Sequence, residues 1–209
     1  MSTLSHPYGT SLTGRALALA RTLSRVAVWA GAALTGASVL LVTYDVVVRR
    51  LFGHSLGGAD ELSGYAFAIS VTWALAFTAL ERANVRIDVL YQYLPTRAAA
   101  ALDWLALASL GAFAACLAWY ASDVLQTSWS ANSTANTPLG TPLWIPQLLW
   151  LGGLFWFVLV LALMLLRAST ALVTGDWETL RAVAGMKSAV EEADEGAAEG
   201  ERLIAAERA

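Results

Sequence analysis

Two histidines and one cysteine are all that 209 residues hold of those types, and their positions exclude much. His6 and His54 lie outside the apolar stretches, so a haem between membrane helices has no axial imidazole. A membrane hydrolase built on a Ser–His pair lacks its base for the same reason. Cys116 is alone, so no disulfide forms within the chain, and its place in an apolar run reads as a small buried hydrophobe. There is no Cys/His cluster for a metal, no Gly-rich phosphate loop and no internal repeat. No cofactor, no enzyme activity and no nucleic-acid partner are expected.

Charge is also missing, and in one pattern. Val26–Tyr44, Leu62–Leu80, Trp104–Ser122 and Leu148–Leu166 each run for 19 residues without a charged side chain. A helix rises about 1.5 Å per residue, so about 20 residues cross a hydrocarbon core of about 30 Å. The chain is 57% hydrophobic, with a mean hydropathy of +0.58, and has no soluble shell in which to bury four such runs. The expected fold is an all-α integral membrane protein with four transmembrane helices, at about 26–48, 61–80, 98–123 and 144–167. A segment 1–25 precedes this membrane domain and an acidic tail 168–209 follows it. Asp176–Ala209 carries nine acidic and four basic residues and is expected to be solvated, partly helical at most.

Mid-membrane charge is the third absence. A proton-coupled carrier usually keeps an ionisable residue inside a span. Here Asp45, Glu61, Glu81, Asp103 and Asp123 all stand at helix ends. Matched Gly/Pro breaks, the mark of broken carrier helices, are missing too. The chain is not expected to transport a solute alone, although sodium held by backbone carbonyls leaves no mark in a sequence.

What is present sets orientation and surfaces. Arg15, Arg21, Arg25, Arg82, Arg86, Arg97 and Arg167 lie on one side of the expected spans, and only Arg49 and Arg50 on the other. The positive-inside rule then puts both termini in the cytoplasm and Arg49–Glu61 outside, in the periplasm of a bacterium. The arginine pair opposes that bias, which suggests a docking role for Arg50 and its neighbours. Asp45 and Arg49, four apart, are expected to pair across one helix turn. Asp60 and Glu61 open the second helix, where carboxylates meet the positive end of its dipole. Between helices two and three, Val85–Leu94 mixes apolar and charged residues before Pro95 and reads as a short amphipathic segment lying in the headgroup layer. Trp29, Trp104, Trp119, Tyr120 and Trp144 suit the two interfaces, whereas Trp73, Trp150 and Trp156 read as apolar bulk. Gly31, Ser38 and Asp45 recur every seven residues, and Ser63, Phe67, Ser70, Ala74, Thr78 and Glu81 share a face. Such small-residue faces serve packing within the bundle or against another subunit equally well.

Several local patterns fall in a familiar order. The first helix ends in Arg49-Arg50-Leu51-Phe52, and Asp60-Glu61-Leu62 opens the second. Asn84-Val85-Arg86-Ile87-Asp88 follows it, then Leu94-Pro95. From about Val26 to Arg167 the chain resembles the small permease subunit of tripartite ATP-independent periplasmic (TRAP) transporters, the DctQ-like family. It departs from the family pattern at Gly58-Ala59, where a Trp often precedes the acidic pair, and at Asn84, where a His is common. The resemblance implies a scaffold and docking subunit in the bacterial inner membrane. Its partners would be membrane lipid, a large permease subunit that carries substrate and sodium, and a periplasmic substrate-binding protein that delivers an organic acid anion. It points to Asp45, Arg49, Arg50, Glu61, Glu81, Arg86 and Asp88 as interface residues. A non-catalytic anchor or assembly subunit of another bacterial membrane complex is the other reading.

Overall fold

The computed structural model describes residues 12–83 and 94–185, with the short stretches 196–197, 200–201 and 204–205. Of the expected interfacial segment, residues 85–93, with Arg86 and Asp88, lie outside the described residues. The described chain is helical: α1 spans Leu12–Phe52, α2 Ala59–Leu80, α3 Thr96–Ser130, α4 Trp144–Thr174 and α5 Trp177–Ala184. The first four are long and apolar enough to cross a membrane, as the uncharged runs require. Among the described residues there is no strand, only an isolated bridge between Thr134 and Pro142.

Each helix ends where local chemistry stops it. No proline interrupts α1, so its 41 residues extend for about 60 Å, beginning well before the apolar run. It stops at Gly53, whose φ of +70° suits glycine and whose N–H donates to the Arg49 carbonyl at 3.2 Å. Pro146 falls in the first turn of α4, where a missing N–H costs little, and the helix closes at Gly175 with φ +71°. Asp176 then caps α5 by accepting from the Thr179 N–H at 3.0 Å.

The four long helices alternate in direction. One end of the molecule therefore carries the α1–α2 and α3–α4 connections (the hairpin end), and the other carries α5 and the start of α1 (the terminal end). The helices pack in a row, α1 on α2, α2 on α4 and α4 on α3, with a lesser contact between α1 and α4. α2 and α4 are thus inner helices, while α1 and α3 form the edges. The main core lies toward the terminal end, where Leu17 of α1, Ala76 and Leu80 of α2, Leu107 of α3, and Val160 and Leu161 of α4 meet.

Close approach between helices relies on small residues, since lipid is as apolar as leucine and provides little hydrophobic drive. A Cβ on Gly153 of α4 would sit 2.6 Å from Thr72 Oγ1 and 2.9 Å from Trp73 Cδ1 on α2. A Cβ on Gly31 of α1 would meet the Ser70 Cβ at 3.2 Å. The Gly31 and Ser70 faces are therefore used inside the chain.

Two expectations change here. The solvated tail does not begin at Asp176, because Leu180 and Val183 of α5 are buried and Leu180 packs on Ala100 and Ala171. The amphipathic spacing of these residues gives α5 an apolar face to dock under α3 and α4. Cys116 is exposed on α3, not buried, because α3 is an edge helix and that side of it has no neighbour within the chain.

Candidate functional site

At the hairpin end the α1–α2 connection is held by Asp45. Its side chain is buried, 6% exposed, and accepts from Leu56 N–H at 2.6 Å and from Ser55 Oγ at 2.9 Å. The chain leaving α1 folds back at Gly53 and brings these donors onto a carboxylate ten residues behind. The expected Asp45–Arg49 pair is absent: no ion pair links the two, and both carboxylate oxygens of Asp45 bond to the loop. A backbone N–H delivered by the fold satisfies a buried carboxylate without also burying a guanidinium.

Glu61 ties the two connections together. It accepts from Tyr65 Oη at 2.8 Å one turn along α2 and from the hydroxyl of Thr137 in the α3–α4 connection. Thr141 of the same connection also bonds to it. Beside this contact Gly58 packs against Leu139 so closely that a Cβ there would fall 1.6 Å from Leu139 Cδ1. Gly57, with φ +72°, lies against Pro138. The hairpin end is therefore one joined surface rather than two independent loops.

Arg49 and Arg50 stand on the rim of that surface. Both occupy the last turn of α1 and both are exposed. Their place has an intrahelical reason, since cations complement the negative end of the α1 dipole. Asp60, exposed in the first turn of α2, does the converse.

At the terminal end Glu81 is engaged within the chain. Arg21 forks onto it, Nε to Oε1 at 2.8 Å and Nη2 to Oε2 at 2.7 Å, joining α1 to the end of α2. Asp103 is buried, only 2% exposed. Asp176 lies outside the spans, and its carboxyl is held below the usual range by the hydrogen bonds from Thr179, with Arg167 adding to the effect.

Three tryptophans also cross-link helices. Trp73 Nε1 donates to the Leu149 carbonyl at 3.0 Å, Trp104 Nε1 to Ser169 Oγ at 2.9 Å and Trp156 Nε1 to Ser24 Oγ at 2.9 Å. Trp73 and Trp156 are therefore more than apolar bulk. The sequence carried only a faint signal for this, a serine inside or beside an apolar run, because the donor and acceptor lie 132 residues apart for Trp156 and Ser24.

Between these polar ends one face carries a groove in two adjoining parts. It consists of a cavity of about 600 Å³ against α1, α2 and α4 and a second of about 330 Å³ between α1 and α2. The two share Leu34 and Ile69. Along α1 the groove runs from Leu23 to Leu41, about 27 Å, nearly the full hydrocarbon thickness. Its polar wall groups are already engaged within the chain, with Ser70 Oγ donating toward the Gly31 and Ala66 carbonyls and accepting from Thr35. Among the described residues no group of three or more His, Cys, Asp and Glu is placed to hold a metal. The chain thus offers surfaces: an apolar groove of membrane depth and a joined, arginine-rimmed end.

A model of the family described as tripartite ATP-independent periplasmic transporters, DctQ component, matches residues 38–171. The match runs from the second half of α1 almost to the end of α4. No curated protein and no solved structure matches the chain.

Proposed function

Because the chain belongs to the DctQ component family of the tripartite ATP-independent periplasmic transporters, we propose that it braces a large permease subunit in the bacterial inner membrane. In this reading the complex imports an organic acid anion, driven by sodium and supplied by a periplasmic binding protein. Both termini face the cytoplasm and the hairpin end faces the periplasm, in keeping with seven arginines against two.

The observation that carries the reading is the groove along α1 and α2. A channel of membrane depth with its polar groups engaged within the chain suits an apolar helix of a partner, because packing drives association in lipid. The large permease is that partner. The binding protein meets the joined hairpin end, with Arg49 and Arg50 as its charged rim. Arginine suits such a rim because its fork grips a carboxylate in two places.

The test is co-purification of the large permease with the full chain. Ala30 is exposed and lines the groove, so Ala30→Trp fills it without touching the core. The variant should still be extracted as a monodisperse chain and should no longer carry the permease. An intact complex with Ala30→Trp would place the permease elsewhere.

A further inference from the structure

We propose that the α3–α4 side binds one phospholipid with a primary-amine headgroup, its ammonium on Asp123 and an acyl chain in the groove below. The groove, about 370 Å³, lies between α3 and α4 and is lined by Ala115, Ala118, Trp119, Asp123, Phe155 and Val158. It is distinct from the groove of the α1–α2 face.

Length decides the kind of occupant. From Ala115 to Asp123 the groove follows α3 for about 12 Å, the depth of one leaflet and less than half of what a crossing helix needs. Polarity points the same way. One end carries the Asp123 carboxylate and the other end is apolar, which is the polarity of a lipid in its leaflet. Ser122 beside it is already engaged, donating to the Ala118 carbonyl at 2.8 Å.

Depth and charge select the headgroup. Asp103 and Asp123 stand twenty residues apart on one helix, about 30 Å, so the two carboxylates mark the two edges of the hydrocarbon core. Asp103 is buried inside the protein, whereas Asp123 is exposed at the groove mouth and has no ion pair with any described residue. A carboxylate at that boundary is stabilised by a cation. An ammonium with N–H donors answers both its charge and its lone pairs. A quaternary choline answers the charge alone, and an anionic glycerol headgroup is repelled. Trp119, 71% exposed on the groove wall, places an amphipathic ring at headgroup level.

The test reads retained lipid by native mass spectrometry of the full chain from bilayer discs. The discs hold equal phosphatidylethanolamine and phosphatidylglycerol of matched chains. Wild type should retain one phosphatidylethanolamine with about five-fold preference, the size expected of one exposed charge pair. Asp123→Asn should bring the ratio to about one, and replacing phosphatidylethanolamine by phosphatidylcholine should leave wild type with a preference between these two values, because choline meets the charge of Asp123 but offers it no N–H. Ala115→Trp, on an exposed groove position, should lose the bound lipid of either kind. Equal retention by wild type, or an unchanged preference in Asp123→Asn, overturns the proposal. If the isolated chain shows no preference while Asp123→Asn releases the large permease, the ligand of Asp123 is a cationic side chain of that subunit, and the lipid assignment fails.

Discussion

α1 and α4 are both long membrane helices, yet they stand in opposite relations to the rest of the chain. Of the most apolar stretch of α4, 39% of residues are buried within the chain; for α1 the figure is 11%. α4 lies between α2 and α3 and also touches α1 and α5, whereas α1 sits at the edge of the row. The manner of attachment differs as well. α4 is held chiefly by apolar packing around Leu154, Val160 and Leu161, with the tryptophan hydrogen bonds at Leu149, Trp156 and Ser169 added to it. α1 adds a series of polar clamps: Arg21 on Glu81, Ser24 on Trp156, Thr35 and Gly31 on Ser70, and Asp45 on the loop after it. The sequence of α4 is thus shaped mainly by its own chain. That of α1 is shaped by a few fixed points, with long exposed intervals between them left for lipid or a partner.

Substituting glycines in the two helices breaks this comparison most sharply. Gly153→Leu on α4 drives a side chain into Thr72 and Trp73 where even a Cβ does not fit. Overpacking of this kind costs about 1–3 kcal/mol, and the α2–α4 contact is central to the row. The variant should lose most of its monodisperse yield in detergent. A Cβ on Gly36 of α1 meets nothing within 4 Å, so Gly36→Leu should leave yield unchanged. Equal losses from both would erase the distinction between a core helix and an edge helix.

The next test removes a clamp from α1. The Arg21–Glu81 fork is partly buried, with the side chains 33% and 19% exposed. Its coupling should be about 1 kcal/mol in a double-mutant cycle of Glu81→Gln and Arg21→Gln, read by thermal unfolding in detergent. Additive losses would mean that α1 is held by its packing and not by the fork.

These clamps also show where sequence reasoning reached its limit. Span number was legible because nineteen uncharged residues in a row have one stable setting in lipid. The start of α1 at Leu12 was not, since Arg15, Arg21 and Arg25 mark an interface and say nothing of whether the helix continues past it. Asp45 and Glu81 stand out in the sequence as charges of consequence, but nothing in it names their partners. Helix spacing offered Arg49 to Asp45, whereas the reversal at Gly53 supplies Leu56 and Ser55 instead. Glu81 finds Arg21 sixty residues away, and only the row order of the helices brings them together. The docking of α5 was hidden by the acidic composition around it, although the cap at Asp176 and the apolar positions Leu180 and Val183 were there to be read. Arg86 and Asp88 lie outside the described residues.

A smaller effect is expected at the hairpin end, on function rather than on stability. Arg50 is exposed in the last turn of α1, so Arg50→Glu should leave the membrane complex intact. Rim charges act chiefly on association rate and its salt dependence. Uptake at low binding-protein concentration and low salt should fall several-fold, and excess binding protein should restore most of it. Uptake unchanged across that titration would make Arg50 a lipid anchor and move the docking surface elsewhere.

The smallest effect belongs to α5, which packs under the two helices farthest from α1. Its cap is the Asp176 carboxylate, stabilised in the charged form by Thr179 and by the nearby Arg167. The folded group therefore titrates below the range of the same carboxyl in an unfolded chain. A depressed carboxyl contributes stability that is fully present above the unfolded value and is lost as pH falls through the folded one. At neutral pH the cap is complete; it weakens once the pH falls below the ordinary carboxyl range and the folded carboxylate takes up a proton. The readout is amide hydrogen exchange of residues 177–184, corrected for the intrinsic pH dependence of exchange. Protection in α5 should decline on acidification before that of α4 does, because α4 owes its burial to apolar packing that no proton removes. Asp176→Asn keeps an oxygen to accept from Thr179 but cannot titrate, so it should flatten the decline while preserving most of the protection at neutral pH. If the asparagine variant loses protection with the same pH profile as wild type, the acid sensitivity of α5 arises from another group, and the cap is incidental to its docking.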